Sequence, residues 1–166
     1  MPMIRLLTIW FGANDACIKP SPQHVPLNTF ISNLEQLVDM IQSPGSEYYS
    51  PSTRIILMSP PPVNTFQRLA DLQSRPIPLD LDRNFETTKA YAKAVEGVAR
   101  AKQVAFVDIW SVMWQGAGEN ESALSKYLID GLHPNAEGYR VIKCLIFFCT
   151  LIYSHLHVRG RSRTIL

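Results

Sequence analysis

A chain of 166 residues has room for one domain that buries about two-thirds of its unfolded surface. Its content of 46% hydrophobic and 18% charged residues excludes disordered and fibrous proteins, and a net charge of +2 gives no field that would indicate a nucleic-acid partner. The three cysteines, Cys17, Cys144 and Cys149, show neither a disulfide framework nor a metal-ligand spacing, so we expect a reducing, cytoplasmic location with no metal and no cofactor.

The first predicted element is a strand over residues 4–11. This stretch is short, mostly apolar and rich in β-branched and aromatic residues, which is typical of a strand buried on both faces of a parallel sheet. Only Arg5 supplies positive charge, so the stretch does not resemble a signal peptide. Gly12-Ala13-Asn14-Asp15 then ends the strand as a loop.

The next predicted elements are a helix and a second strand. Seven apolar residues at helical spacing define the helix, and Ser43-Pro44-Gly45 ends it. They are Leu27, Phe30, Ile31, Leu34, Leu37, Val38 and Ile41. Residues 54–59 form the second buried strand, which three prolines end. The segment from there to Arg83 has no periodicity, and we expect a surface excursion that serves as a lid or a pocket wall.

The second half of the chain continues the alternation of helices and strands. Residues 87–102 predict a helix, 104–108 a third strand, and 109–115 a helix or turn. Asn135 is a candidate N-cap for a last helix over 136–153. Strands that alternate with helices predict a parallel α/β sheet with helices on both faces. Ligands of such sheets bind beyond the C-terminal strand ends, where Asn14 and Asp108 lie.

Two loops contain the candidate chemistry. Asp130 and His133 are three positions apart in a turn, where the carboxylate can reach the imidazole Nδ1 and leave Nε2 to act as a base. The side-chain amide of Asn14 is a neutral donor that can bind a developing oxyanion. Residue type alone also allows a structural alternative. Asp130 and Asn135 would then be turn and capping residues, and Asn14 would form an Asx-turn.

Together the two loops resemble the SGNH, or GDSL, hydrolase family. Residues 12–15 are similar to its Gly-x-Asn-Asp block and residues 130–133 to its Asp-x-x-His block. The longer stretches around these blocks, residues 10–16 and 130–139, are similar in sequence to the isoamyl acetate-hydrolysing esterase branch of the family. The resemblance covers about residues 4–142. It implies a three-layer α/β/α sandwich with a flavodoxin-like parallel sheet, and a small or short-chain carboxylic ester as substrate.

The resemblance also implies a role for each site residue. His133 would be the general base, Asp130 its orienting acid, and Asn14 a donor of the oxyanion hole. Gly12 would allow a tight turn and a close approach of the backbone, and Asp15 would hold the shape of the loop. We expect a small ester as the partner of this site, and neither nucleic acid nor a membrane.

The chain departs from the family pattern at the nucleophile. The family's serine lies in a Gly-Asp-Ser block that precedes Gly-x-Asn-Asp, and this sequence has no Gly-Asp-Ser. Neither Ser21 nor Ser59 lies in a nucleophile turn. We therefore interpret the chain as an N-terminally truncated gene model, fragment or isoform that lacks the first strand–helix–strand portion. The strand at 4–11 would then be an apolar edge, open to self-association.

The C-terminal residues also depart from the pattern. Residues 1–143 would form a partial SGNH hydrolase domain, and 144–166 a divergent tail that is apolar on all sides and then basic at Arg159, Arg161 and Arg163. The change fits an altered reading frame, a retained intron, a true helix or an interfacial anchor. Two functional alternatives stay open, namely a non-catalytic fragment or binding module, and a thioesterase, lysophospholipase or acetyl-transfer relative.

Overall fold

A three-stranded parallel sheet is at the centre of the fold in the computed structural model, which describes residues 4–158. The strands β1 (Leu6–Ile9), β2 (Arg54–Met58) and β3 (Ala105–Val107) lie in that order. Residues 55–58 of the central strand are at most 3% exposed. This burial arises because helices cover both faces of β2, as is usual for parallel sheets.

One face of the sheet packs against α1 (Leu27–Gln42) and α3 (Phe85–Lys102). Ile55 and Leu57 point to this side and contact a set of apolar residues from the two helices, namely Phe30, Leu34, Val38, Tyr91 and Val95. The predicted apolar stripe of α1 therefore faces the core. The side chain of Asn84 caps α3 by accepting a hydrogen bond from the Thr87 backbone N–H at 2.8 Å.

The other face packs against α4 (Ile109–Gly116) and α5 (Ala136–Val158), and a short 3₁₀ helix, Ser122–Lys126, lies between them in the chain. Asn135 caps α5 as predicted, because its Oδ1 accepts hydrogen bonds from the backbone N–H groups of Glu137 and Gly138 at 2.9 and 3.0 Å. The predicted α/β/α layering around a parallel sheet is confirmed.

The prediction that β1 is buried on both faces was wrong. Ile9 is 6% exposed and faces α1, but Leu6 is 42% exposed and Thr8 is also exposed. Within the described residues β1 pairs only with β2, and α5 contacts β3, on the far side of β2. Within the described residues, this position at the end of the sheet confirms the expected apolar edge. The composition of a strand does not specify which helices cover its two faces, so the expected burial did not follow.

The prediction of a surface excursion up to Arg83 was right for residues 73–80, which are exposed, and wrong for the earlier part, where residues 60–64 are buried. The segment contains α2 (Thr65–Gln73), whose N-terminus is capped by the side chain of Asn64. Arg68, Leu72 and Arg83 are only 4%, 1% and 3% exposed. The helix is short and its buried face includes an arginine, so it shows no apolar periodicity in the sequence.

The last helix continues through the division that was predicted at residues 143 and 144. α5 runs from Ala136 to Val158 without a break, and Phe147 and Phe148 on it are 59% and 61% exposed. The division into two parts stays a prediction. The three predicted tail arginines, Arg159, Arg161 and Arg163, lie outside the described residues. No helix in the described part of the chain combines the length and the apolar character that crossing a bilayer requires.

Candidate active site

The loop after β1 is built around a close approach of the backbone to its neighbours. Gly12 has a φ of +112°, and a Cβ atom there would lie 3.2 Å from both the Phe30 ring and the Pro60 side chain. The carboxylate of Asp15 accepts a hydrogen bond from the Gly12 backbone N–H at 3.0 Å. Gly12 and Asp15 thus fix the shape of the loop, which presents Asn14 at the C-terminal end of the strand.

The side chain of Asn14 is exposed, and its amide has a defined orientation. An Nη2 N–H of Arg83 donates a hydrogen bond to Asn14 Oδ1 at 2.9 Å. An arginine can only donate, so the amide oxygen must face Arg83 and the Nδ2 group must face away from it. Asn14 therefore presents an N–H donor to its surroundings.

Asp130 and His133 form the hydrogen-bonded pair that their spacing predicts. Asp130 Oδ2 lies 2.9 Å from His133 Nδ1, and Asp130 Oδ1 accepts the backbone N–H groups of Leu132 and His133 at 3.0 and 2.8 Å. A carboxylate accepts only, so Nδ1 carries the proton and Nε2 of a neutral ring keeps its lone pair. The His133 side chain is 68% exposed and the Asp130 side chain 14%.

The hydrogen bonds at Asp130 stabilise its ionised form. Burial of the carboxyl group raises its pKa. Hydrogen bonds lower the pKa by more than burial raises it, so that it falls to about 2; they come from the backbone N–H of His133, the His133 ring and the backbone N–H of Leu132. Asp130 is therefore a carboxylate at neutral pH. It remains an acceptor for the His133 ring.

The turn that carries this pair packs against the start of α2. Gly131 has a φ of +82°, and its carbonyl oxygen accepts the Asn64 backbone N–H at 3.0 Å. A Cβ atom at this position would lie 2.4 Å from the Arg68 backbone nitrogen and 2.6 Å from the Asn64 carbonyl oxygen. Only glycine fits here, so the contact fixes the distance between the Asp130 turn and α2.

Three charged residues that the sequence did not point to connect the two loops. Arg68 Nη1 donates to Asp130 Oδ2 at 2.8 Å, and its Nε and Nη2 donate to the two oxygens of Asp82 at 2.9 and 2.8 Å. Arg83 also donates to Asp82 through Nη1. The connection thus runs from Asn14 through Arg83, Asp82, Arg68 and Asp130 to His133.

The charges in this network support each other. Burial raises the pKa of Asp82, but the hydrogen bond from Arg68 and the charges of Arg83 and Arg68 outweigh it and lower the pKa. The hydrogen bond to Asp82 raises the pKa of Arg68 in turn, against the effect of burial. No sequence pattern marked these residues, because Arg68 is a single charge on a short helix and the Asp82–Arg83 pair is typical of a loop.

The two serines considered from sequence have other contacts. Ser59 is fully buried; its hydroxyl accepts the Trp110 backbone N–H at 3.0 Å and donates to Asp108 at 3.4 Å. The hydroxyl of Ser21 accepts the Gln23 backbone N–H at 3.3 Å. The hydrogen bonds of these two serine hydroxyls thus go to other groups than the His133 ring.

Comparisons with known proteins agree with the sequence blocks. Residues 2–141 match the model of the GDSL-like lipase/acylhydrolase family. The chain is 33% identical over 138 residues to the isoamyl acetate-hydrolyzing esterase of Saccharomyces cerevisiae, covering 83% of this chain and 53% of the relative. It is 34% identical over 134 residues to the isoamyl acetate-hydrolyzing esterase 1 homolog of Bos taurus, covering 80% and 50%.

A solved structure has the same fold. The lipase/acylhydrolase from Enterococcus faecalis superposes with a TM-score of 0.61 at 22% identity, covering 97% of this chain and 65% of that one. The chain spans about half the length of the curated relatives that it matches.

Proposed function

Because the chain belongs to the GDSL-like lipase/acylhydrolase family, we propose that it carries the base, acid and oxyanion-donor part of a serine-dependent site that hydrolyses small carboxylic esters. The observation that carries this proposal is the 2.9 Å contact between Asp130 Oδ2 and His133 Nδ1. The similarity to the isoamyl acetate-hydrolyzing esterase of Saccharomyces cerevisiae and the isoamyl acetate-hydrolyzing esterase 1 homolog of Bos taurus supports acetate esters of small alcohols as substrates.

In the proposed reaction, His133 Nε2 takes the proton of a serine hydroxyl as the serine oxygen attacks the ester carbonyl carbon. Asp130 stabilises the imidazolium that forms. The carbonyl oxygen becomes an oxyanion and accepts a hydrogen bond from Asn14 Nδ2, and the imidazolium then protonates the leaving alcohol. A water molecule, deprotonated by His133, then attacks the carbonyl carbon of the acyl-serine. The bond between that carbon and the serine oxygen breaks, and the imidazolium protonates the serine oxygen as the acid leaves.

The serine of this reaction would come from a Gly-Asp-Ser segment, which the 166 residues do not contain. The open edge of β1 is the place we propose for it. A strand that adds in parallel to β1 has its C-terminal end at the same sheet edge as the Asn14 loop. The exposure of Leu6 and Thr8 supports this position, because both side chains are open to additional packing.

The test uses a fusion of this chain to a Gly-Asp-Ser-bearing N-terminal segment from the Saccharomyces cerevisiae relative, assayed with p-nitrophenyl acetate. We expect His133→Ala to lower kcat by about four or more orders of magnitude, as loss of a triad member does. His24→Ala is the matched control, since the His24 ring contacts the Cys17 carbonyl oxygen and has no role in the proposed reaction. Full activity of His133→Ala in an active fusion would refute the proposal.

The second candidate function is a non-catalytic binding module, and the absence of a Gly-Asp-Ser block from the 166 residues favours it. A fluorophosphonate probe reacts with activated serines and separates the two candidates. If the unfused 166-residue chain is labelled at one serine, the binding-module candidate is excluded. Ester hydrolysis through a supplied serine requires the opposite pattern. The probe must then label the fusion and leave the unfused chain unlabelled.

The remaining proposals concern partners and location. We propose a small ester as the partner of the site, a cytoplasmic location, and no nucleic-acid partner. The apolar edge at Leu6 also supports self-association of the unfused chain.

A further inference from the structure

The carboxylate of Asp82 is the point where the two halves of the candidate site meet. Its two oxygens accept hydrogen bonds from Arg68 Nε and Nη2 at 2.9 and 2.8 Å, and Oδ2 also accepts one from Arg83 Nη1. The side chains of the two arginines are only 5% and 4% exposed, and that of Asp82 is 26% exposed. A single acidic group therefore compensates part of two buried charges.

One branch leads from Asp82 to the base. A guanidinium group is planar and rigid, so the bidentate contact of Nε and Nη2 with Asp82 fixes the direction in which Nη1 of Arg68 points. Nη1 donates to Asp130 Oδ2, the same oxygen that faces His133 Nδ1. Asp130 Oδ1 is held by backbone N–H groups, so Arg68 provides the second anchor that prevents rotation of the carboxylate.

The other branch leads from Asp82 to the oxyanion donor. Arg83 donates through Nη1 to Asp82, through Nε to the Ala13 carbonyl oxygen at 2.9 Å, and through Nη2 to Asn14 Oδ1 at 2.9 Å. Its Nη2 also donates to Gln23 Oε1 at 2.9 Å. The contact with Asn14 Oδ1 is what directs the Nδ2 group of Asn14 outward.

We propose that Asp82 is a positioning residue for both halves of the site, acting on His133 through Arg68 and Asp130, and on Asn14 through Arg83. This inference rests on the proposed function, which gives His133 and Asn14 their roles as base and oxyanion donor. Loss of the Asp82 charge would then disturb two groups that lie on different loops. Loss of one arginine would disturb only the group on its own branch.

The test measures orientation by NMR on the full 166-residue chain. The ¹⁵N chemical shifts of the His133 ring report which nitrogen carries the proton, and the ¹⁵N–¹H heteronuclear NOE of the Asn14 side-chain amide reports its rigidity on the ps–ns timescale. Asp82→Asn keeps the size of the side chain but removes its charge. We expect it to reduce the Nδ1–H tautomer of His133 and to lower the NOE of Asn14.

Three further variants separate the branches. Arg68→Met should change the His133 signal alone, and Arg83→Met the Asn14 signal alone. Asp71→Asn is the matched control, because Asp71 Oδ2 lies 3.5 Å from Arg68 Nη1, beyond the short hydrogen bonds that Asp82 makes, and it should change neither signal. If Asp82→Asn does not fold, Arg68→Lys and Arg83→Lys replace it in the test, because lysine keeps the charge but not the planar guanidinium group. Each should then change the signal of its own branch, the His133 ring shifts for Arg68→Lys and the Asn14 NOE for Arg83→Lys.

A purely structural role for Asp82 predicts a different result. Asp82→Asn would then lower the free energy of unfolding and leave both signals of the folded protein unchanged, which would overturn the proposal. A change in only one of the two signals would overturn it as well. Neither signal requires ester hydrolysis, so an inactive fusion protein would refute the proposed function without affecting this result.

Discussion

The substitution Gly131→Ala tests whether contact with α2 determines the geometry of the Asp130 turn. Gly131 and Gly118 both have positive φ, +82° and +65°. A Cβ atom at Gly118 would have no neighbour within 4 Å, whereas at Gly131 it would overlap backbone atoms of Arg68 and Asn64 at 2.4–2.8 Å. Gly118→Ala thus introduces backbone strain alone, and Gly131→Ala adds a steric overlap.

The expected magnitudes differ accordingly. Left-handed backbone costs a residue with a Cβ about 1–2 kcal/mol, and the lower entropy of the unfolded alanine chain offsets about 0.4–1 kcal/mol of this. Gly118→Ala should therefore lower the free energy of unfolding by about 0–1.6 kcal/mol. Overpacking against backbone atoms adds about 1–3 kcal/mol, so we expect a loss of about 1–4.6 kcal/mol for Gly131→Ala.

Urea denaturation followed by circular dichroism measures both free energies of unfolding, and a domain of this size has about 5–15 kcal/mol to lose. The Gly131 variant should also show a lower population of the Nδ1–H tautomer of His133, since the turn must move away from Arg68. Equal destabilisation by the two substitutions, with an unchanged His133 signal, would refute the idea that this contact holds the turn.

Two further predictions concern stability. The pKa of Asp130 is lowered in the folded protein to about 2, so its ionised form contributes about 2 kcal/mol of stability that is complete above about pH 4 and is lost as the pH falls through 2. Asp130→Asn should reduce the slope of unfolding free energy against pH in this range, and an unchanged slope would contradict the prediction. Asn135→Ala removes the cap of α5 and should lower the free energy of unfolding by about 1 kcal/mol. It should also speed hydrogen exchange of the backbone amides of Glu137 and Gly138, and unchanged exchange would exclude a capping role.

The parts of the fold that follow from local pattern could be predicted from the sequence. The stripe from Leu27 to Ile41 predicts α1 because helix periodicity is a property of neighbouring residues. The Asp130–His133 contact is equally local, since three residues of turn bring the two groups together. The position of β1 at an edge of the sheet was expected from the absent Gly-Asp-Ser block. The exposure of Leu6 did not follow from composition, because it depends on which helices cover the faces of β1.

The link between the two loops could not be predicted for the same physical reason. Arg68 is separated by 62 positions from Asp130, and Arg83 by 69 from Asn14. The sequence does not show whether an arginine is buried or exposed. The burial of Arg68 follows from the packing of α2 against the Asp130 turn, which only the structure shows. The family blocks indicated the reactive groups, while the residues that position them became visible only in the structure.

The distribution of burial in the site indicates that its geometry forms together with the fold. His133 and Asn14 are exposed. The side chains of Arg68, which bonds to Asp130, and of Arg83, which bonds to Asn14, are only 5% and 4% exposed. Removing one partner from a buried ion pair costs about 3–5 kcal/mol, a large part of the stability of a domain. The folded chain therefore has to keep Asp82 bound to both arginines. In the function proposed above, His133 as base and Asn14 as oxyanion donor would then be oriented before any serine approaches, which is the preorganisation that electrostatic catalysis requires.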